Sequence, residues 1–435
     1  MALDPPSTPR EGFVFIPHLV AGLFKGRLAR ASLWLLMANL ATGVLGYAYQ
    51  IVMGRMLPPS DYGLLSAMVA LGVILPVPLG AAMLILTRKF AEYRARGEGG
   101  RISHLWILTR RWIIRSSIGV AFLYLLLAPF IRDFLNVPAL WPVYLMGAWM
   151  LVLIFAGGHT ALLQGMQSFN WLSGGTLLSA LVKIVISIVL VAAGYGIYGA
   201  LLGLLLASLA MWLSFSSASR DYRLAPPLKG DHRFTMRDTW PIVAATAAFT
   251  LMTQLDIVLV RHYFDSHEAG IYAAASTLGK AVMYLPGSIA IALFPMVAEN
   301  DARSEGSAHL LMQAVLLVGT LSGCGTLLFL FFPGFLIQLF YGEAYASSAE
   351  VLRYFGFAML PMALVFVAEH FLIAKGRILF VYLFILVAPA QVLAVSIFHA
   401  ALLDVVKVMI ACGSFLMLIG YSMLWREYRK SSGTQ

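Results

Sequence analysis

Apolar side chains run along this chain in stretches of about 20 residues or more, broken by short polar turns. That is the length a helix needs to cross the hydrocarbon of a bilayer at about 1.5 Å per residue. The pattern predicts twelve spanning helices, over 31–54, 63–87, 112–130, 141–163, 172–194, 197–219, 240–260, 269–295, 309–332, 351–373, 378–398 and 402–425. The division between the fifth and sixth rests on the glycines from Gly194 to Gly199 alone. A further apolar stretch, Gly12 to Phe24, is too short to span and has no small-residue cleavage site after it. It reads as an interfacial helix leading into Lys25, Arg27 and Arg30.

Composition agrees with the pattern. Of 435 residues, 60% are hydrophobic and 11% charged, against about 25% charged in soluble domains. Too few polar side chains remain to cover a surface in water, so the chain reads as an all-α, polytopic membrane protein. Charge placement then sets orientation. With the N-terminus inside and twelve crossings, 23 of the 30 basic residues fall on the inner side and only Arg55, Arg132 and Arg261 on the outer. This bias is the positive-inside rule, and both termini are expected to be cytoplasmic. The net charge of +10 is thereby spent on loops facing anionic headgroups, not on nucleic acid.

Two passages read almost alike. One runs QIVMGRMLPPSDYGLLSAM from Gln50, the other DIVLVRHYFDSHEAGIYAA from Asp256. Each ends an apolar span, turns around an arginine (Arg55, Arg261) and starts another span at a glycine (Gly63, Gly270). Glu92 and Glu299 keep the same offset, and Pro78 and Pro286 fall at similar places. Such repetition predicts two six-helix repeats, parallel because an even number of crossings returns the chain to its starting side. The expected organisation is an N-terminal segment 1–30, an N-lobe 31–219, a linker 220–239 containing Pro226 and Pro227, a C-lobe 240–425 and a tail 426–435.

Familiar catalytic and cofactor chemistry is missing from the sequence. No phosphate-binding GxxxxGK[ST] loop and no HExxH occur, and Glu369–His370 alone makes no metal site. Cys324 and Cys412 lie in apolar runs as small hydrophobes. The chain is therefore not expected to be an enzyme or to hold a cofactor. Ionisable groups within the spans stand out instead, each costing about 2.5–3.5 kcal/mol at the bilayer centre. Lys183 and Lys280, one in each half, lie deepest and are the leading ligand-binding candidates. Asp256, beside Gln254, suits either a coupling cation or an ion pair with Lys280. Arg353 reads as an interfacial anchor or a substrate contact. Asn39 and Gln50 could line a polar cavity or bond neighbouring helices. Asp404 and Lys407 are three apart on one helix and are expected to pair, and His159 reads as a packing histidine.

With GRMLPPSDYGLLSAM and LDIVLVRHYFDSHEAGIYAAASTLGKAVMYLPGSIAIALFPMVAE in view, the chain resembles the polysaccharide flippases of the multidrug/oligosaccharidyl-lipid/polysaccharide exporter superfamily, which have a MATE-like fold. The resemblance covers essentially the whole length. It implies two six-helix lobes around a central cavity that opens alternately to either face of a bacterial inner membrane. It also implies an undecaprenyl-pyrophosphate-linked oligosaccharide as cargo, with polymerase and glycosyltransferase machinery as partners. Lys280 and Lys183 would supply counter-charge to the pyrophosphate, and the first span with Asn39 and Gln50 would border the cleft. Lipid II flippases of the same superfamily carry two helices more than this chain. Cation-coupled drug exporters often use an acidic residue in the first span, where this chain has Asn39 and Gln50. A drug exporter of the same fold and a non-transporting scaffold in a polysaccharide assembly complex are the alternatives.

Overall fold

A backbone in hydrocarbon must satisfy its own N–H and C=O groups, and helices do so segment by segment. The computed structural model describes residues 27–220, 222, 226, 228, 240–302, 308–375 and 377–432, and these contain helices and no strand. The expected interfacial stretch before residue 27, most of the linker 220–239 and the last residues of the tail lie outside them. The first half comprises α1 (Arg27–Met56), α2 (Pro59–Ile74), α3 (Val77–Ala95), α4 (Gly99–Phe134), α5 (Trp141–Gly165), α6 (Phe169–Leu190) and α7 (Gly196–Ala218). The second comprises α8 (Trp240–Tyr263), α9 (Ser266–Ala302), α10 (Ala308–Phe331), the short α11 (Pro333–Phe340), α12 (Ser348–Ala374), α13 (Leu379–Ile397) and α14 (Leu402–Ser432).

Nine stretches among the described residues are long and apolar enough to cross a membrane. One of them, Phe169–Ala218, holds two of the twelve expected spans. Its two helices are joined by a π turn at Val191–Tyr195, where Gly194 takes φ 91° and Gly196 φ 51°. Only glycine adopts such angles cheaply, so the chain reverses there and α6 packs back along α7. The expected spans 31–54 and 269–295 are helical, in α1 and α9, but are not among the nine. Outward faces are apolar: Phe122 and Leu126 on α4 are 72% and 68% exposed. In water, patches of this kind would aggregate; in a bilayer they are the solvent-facing surface.

Two expected spans differ from the helices observed. The second, 63–87, breaks at Leu75–Pro76, with Pro76 capping α3 and Pro78 in its first turn. By contrast, α9 continues past Pro286 to Ala302. The third, 112–130, is only the inner part of α4, whose 36 residues span about 54 Å at 1.5 Å each. Its arginine-rich first third extends beyond hydrocarbon thickness, alongside the end of α3. There Glu92 bridges Lys89 at 3.0 Å and Arg96 at 2.9 Å. Asp404 and Lys407 pair as expected, at 2.8 Å.

The two halves meet chiefly where α2 packs against α8 and α9, with a smaller contact between α3 and α8. The closest approach joins Gly63 to the start of α9. A Cβ on Gly270 would fall 1.9 Å from the Pro59 carbonyl oxygen, and one on Gly63 2.7 Å from the Gly270 nitrogen. Backbone lies on both sides and cannot yield. Gly270→Val is therefore expected to prise the halves apart at this end. A cysteine at Thr277, about two turns further along α9, should then react with a membrane-impermeant maleimide applied from that side, while in the parent protein it stays protected.

Candidate functional site

Away from the Gly63–Gly270 contact the halves diverge around a cavity of about 250 Å³. Four helices line it, two from each half. Helix α1 contributes Gly43, Gly46, Tyr47 and Gln50, and α2 contributes Ser66, Val69, Ala70 and Val73. Both sets keep the i, i+3, i+4, i+7 spacing of one helix face. From the other half come Gln254 and Ile257 on α8, and Ala273, Ser276, Thr277, Lys280 and Tyr284 on α9. Small residues make the space. A Cβ added to Gly43 or Gly46 would meet nothing within 4 Å.

One full charge stands on the wall. Lys280, 6% exposed, lies 2.9 Å from Oδ1 of Asp256, which is 2% exposed. The other carboxylate oxygen of Asp256 accepts from the Tyr272 hydroxyl and the Ser276 hydroxyl, each at 3.1 Å. The pair is thus desolvated, with both carboxylate oxygens bonded, the condition under which a buried ion pair persists. Gln254 donates to the Tyr284 hydroxyl at 2.6 Å. On the opposite wall, Gln50 Oε1 and Ser66 Oγ are buried and have no hydrogen-bond partner among the described residues.

At the end where the halves touch, hydrogen bonds between side chains and helix ends close the cavity. Tyr62 on α2 bonds the Thr277 hydroxyl and the Tyr341 hydroxyl, both at 3.1 Å. Tyr345 donates to the Leu57 carbonyl at 3.2 Å. Around them, two arginines reach across in opposite directions. Arg55, in the last turn of α1, bonds the Leu339 and Phe340 carbonyls at the end of α11. Arg261, in the last turn of α8, bonds the Leu135 and Asn136 carbonyls at the end of α4, at 2.9 and 3.0 Å. Each guanidinium meets the negative end of a helix dipole and satisfies carbonyls that have no partner within the helix. Each of those helices is followed by a residue of positive φ, Asn136 at 49° and Gly342 at 88°, which turns the carbonyls outward as a left-handed cap. His262 adds a bond to the Phe134 carbonyl at 2.8 Å and stacks on the Phe134 ring.

The structure brings together some of the residues singled out from sequence and separates others. Lys280, Gln50 and Gln254 line the cavity, and Asp256 lies directly behind Lys280. Lys183 does not join them. Its ammonium sits over the Tyr49 ring, 4.8 Å from the centroid, on the face of α1 turned toward α6. A cation–π contact there answers the desolvation that made it a candidate. Asn39 is exposed, a turn beyond the cavity face of α1, and Arg353 is exposed on α12; neither lines the cavity. The expectation that one lysine from each half faces the same space is therefore corrected for this conformation. His159 packs with its Nδ1 3.0 Å from the Ser219 hydroxyl.

Sequence reading passed over Tyr47, Ser66, Thr277 and Tyr284 on the cavity wall, and Tyr62, Tyr341 and Tyr345 at its closed end. The first group was detectable as small or hydroxylated residues at helical spacing within apolar spans. The second carried no such signal, since tyrosines at span ends are ordinary interfacial residues.

Comparison with known proteins places this arrangement. A family model described as polysaccharide biosynthesis protein matches residues 28–301, and the MatE model matches residues 241–397. An uncharacterized membrane protein of Methanocaldococcus jannaschii is 21% identical over 359 residues, 77% of this chain and 82% of its own length. Among solved structures, an inward-facing multidrug resistance MATE family transporter of the MOP superfamily superposes with a TM-score of 0.72 at 14% identity, covering 90% of this chain and 95% of that one. The lipid II flippase MurJ, in an inward closed conformation, superposes with 0.68 at 14% identity, covering 90% and 87%. An outward-facing MATE structure gives 0.59 at 16% identity, covering 94% and 98%. The fold is that of the MOP-superfamily transporters and flippases, and the chain belongs to the polysaccharide biosynthesis protein family.

Proposed function

We propose that the protein flips a polyprenyl-pyrophosphate-linked oligosaccharide from the inner to the outer leaflet of a bacterial inner membrane, for surface polysaccharide synthesis, and that Lys280 receives the diphosphate. One observation carries this reading: a buried ammonium, held among the described residues by one carboxylate that an anion can displace, on the wall of a cavity between two lobes. A diphosphate brings more negative charge than Asp256, so it competes for Lys280 at short range in a medium of low dielectric. Gln50, Gln254 and the tyrosines offer hydrogen bonds to the adjoining sugar, while the polyprenyl tail stays in lipid.

In this reading the lobes are 31–219 and 240–425, joined by 220–239, with twelve spans, two parallel repeats and both termini in the cytoplasm. The end closed by Arg55 and Arg261 is then the outer gate. At about 250 Å³ the cavity falls short of the roughly 300–1,000 Å³ of typical ligand sites. It admits a diphosphate but not an oligosaccharide, so loading requires the lobes to part at the inner end. Asn39, Lys183 and Arg353 take no part in the described state.

The test is translocation of a polyprenyl-pyrophosphate oligosaccharide in proteoliposomes, with Gly46→Phe as the obstructing variant. Its new side chain meets no neighbour at Cβ, and replacing a mid-helix glycine by phenylalanine favours the helix by a few tenths of a kcal/mol. Expected is an unchanged or raised Tm with transport lost by tenfold or more. Transport at the parent rate would remove the cavity from the path. A reconstituted parent protein that leaves the glycolipid in place but exports cationic drugs would favour the drug exporter, whose family model covers the segment holding Asp256.

A further inference from the structure

A second, smaller groove of about 120 Å³ lies on the flank of the first half and shares no lining residue with the central cavity. Three helices build it at one level: α4 gives Trp106, Arg110 and Ile114, α5 gives Phe155 and His159, and α7 gives Trp212 and Ser216. Helix α5 packs against both α4 and α7 and forms the floor between them. The residues lie toward the arginine-rich end of α4, just before its expected hydrocarbon portion, the depth at which headgroup phosphates sit. Ile114 and Arg110 at the rim are exposed, and the neighbouring Ile118 and Phe122 face lipid.

The polar lining is rich in donors. Trp106 is fully buried, stacks edge-on against His159 at 4.8 Å, and its indole N–H has no hydrogen-bond partner among the described residues. An indole N–H can only donate. No carboxylate pairs with Arg110 among the described residues. A buried donor left unmet beside an unpaired guanidinium calls for an acceptor that is anionic, and the apolar, lipid-facing rim calls for that acceptor to carry a hydrocarbon chain. The volume is well above the roughly 10–15 Å³ that one water requires.

We propose that this groove binds the phosphodiester of an anionic phospholipid from the leaflet on the arginine-rich side, Arg110 and the Trp106 N–H holding the phosphate while an acyl chain lies along Ile114 and Phe155. The site is independent of the transport reading and stands even if the cargo is something else.

Native mass spectrometry of the full chain tests it, with dioctanoyl phosphatidylglycerol, dioctanoyl phosphatidylcholine and inorganic phosphate as separate probes. The expected result is one saturable phosphatidylglycerol per chain. Either Arg110→Gln or Trp106→Phe should weaken it at least tenfold, and Arg111→Gln, one residue along and outside the groove, should leave it unchanged. Trp106→Phe keeps an aromatic ring in place and removes only the donor, so two variants report separately. Equal retention by parent and both groove variants would reduce Arg110 to an interfacial anchor and overturn the proposal. So would phosphatidylcholine bound as tightly as phosphatidylglycerol, or free phosphate bound as tightly as the lipid.

Discussion

Lys280→Met is expected to abolish flipping and to destabilise the protein by about 3–5 kcal/mol, the usual consequence of leaving one partner of a buried ion pair uncompensated. Loss of activity in that variant alone would therefore be ambiguous. The double variant Lys280→Met with Asp256→Asn separates the two effects. It removes both charges, keeps acceptor and donor capacity toward Tyr272 and Ser276, and should regain most of the lost thermal stability. Transport should remain absent, because the cavity would then offer no cation to a diphosphate. Asp256→Asn by itself frees Lys280 from its competitor, so glycolipid binding should tighten while turnover slows. Thermal unfolding and proteoliposome transport, measured on all three variants, check the prediction. A double variant that is stable and still flips at the parent rate would end the role assigned to Lys280.

Arg261→Ala is expected to open the opposite end. Arg261 is 3% exposed and makes two charge-assisted bonds to carbonyls of the other half, where such bonds are worth about 1.5–3 kcal/mol each. Arg55 is exposed, and its bonds to the α11 carbonyls should contribute nearer the 0.3–1 kcal/mol of a surface charge at a helix end. Since about 1.4 kcal/mol is a tenfold change in an equilibrium, Arg261→Ala should raise the population open at this end by tenfold or more. Arg55→Ala should raise it severalfold at most. The readout is the labelling rate of a cysteine at Ala273, on the cavity wall, by an impermeant maleimide from the Arg55 side, with Cys324 and Cys412 first replaced. Equal rates in parent and Arg261→Ala would mean that the Gly63–Gly270 contact and the tyrosines hold the closure without the arginine.

That each of the two arginines holds the end of a helix in the other half is a tertiary fact with a trace in the sequence. Both were visible as rare basic residues on the sparsely charged side, at matching places in similar passages. Nothing local showed what they hold, because the acceptors are backbone carbonyls of the other half, 284 and 285 residues away for Arg55 and 125 and 126 for Arg261, and a carbonyl at a helix end has no residue-type signature. Gly63 and Gly270 carried the same kind of trace. Their alignment was legible, but the contact between them depends on how α2 crosses α9.

Hydrophobic run length and charge bias determined the helical class, the membrane setting and most helix positions, since the bilayer imposes one length and one backbone solution on every crossing. Breaks within helices were less determined: Pro76 ends α2, whereas α9 runs through Pro286, and packing rather than proline decides which. For the site, sequence could show only that Lys183, Lys280 and Asp256 each needed a reason to be in hydrocarbon. Tertiary structure assigned the reasons, an aromatic ring for Lys183 and a shared ion pair on a cavity wall for Lys280 and Asp256. The cost of burying a charge is a property of the residue and its depth, while the partner that offsets it belongs to another helix and is fixed only when the helices pack.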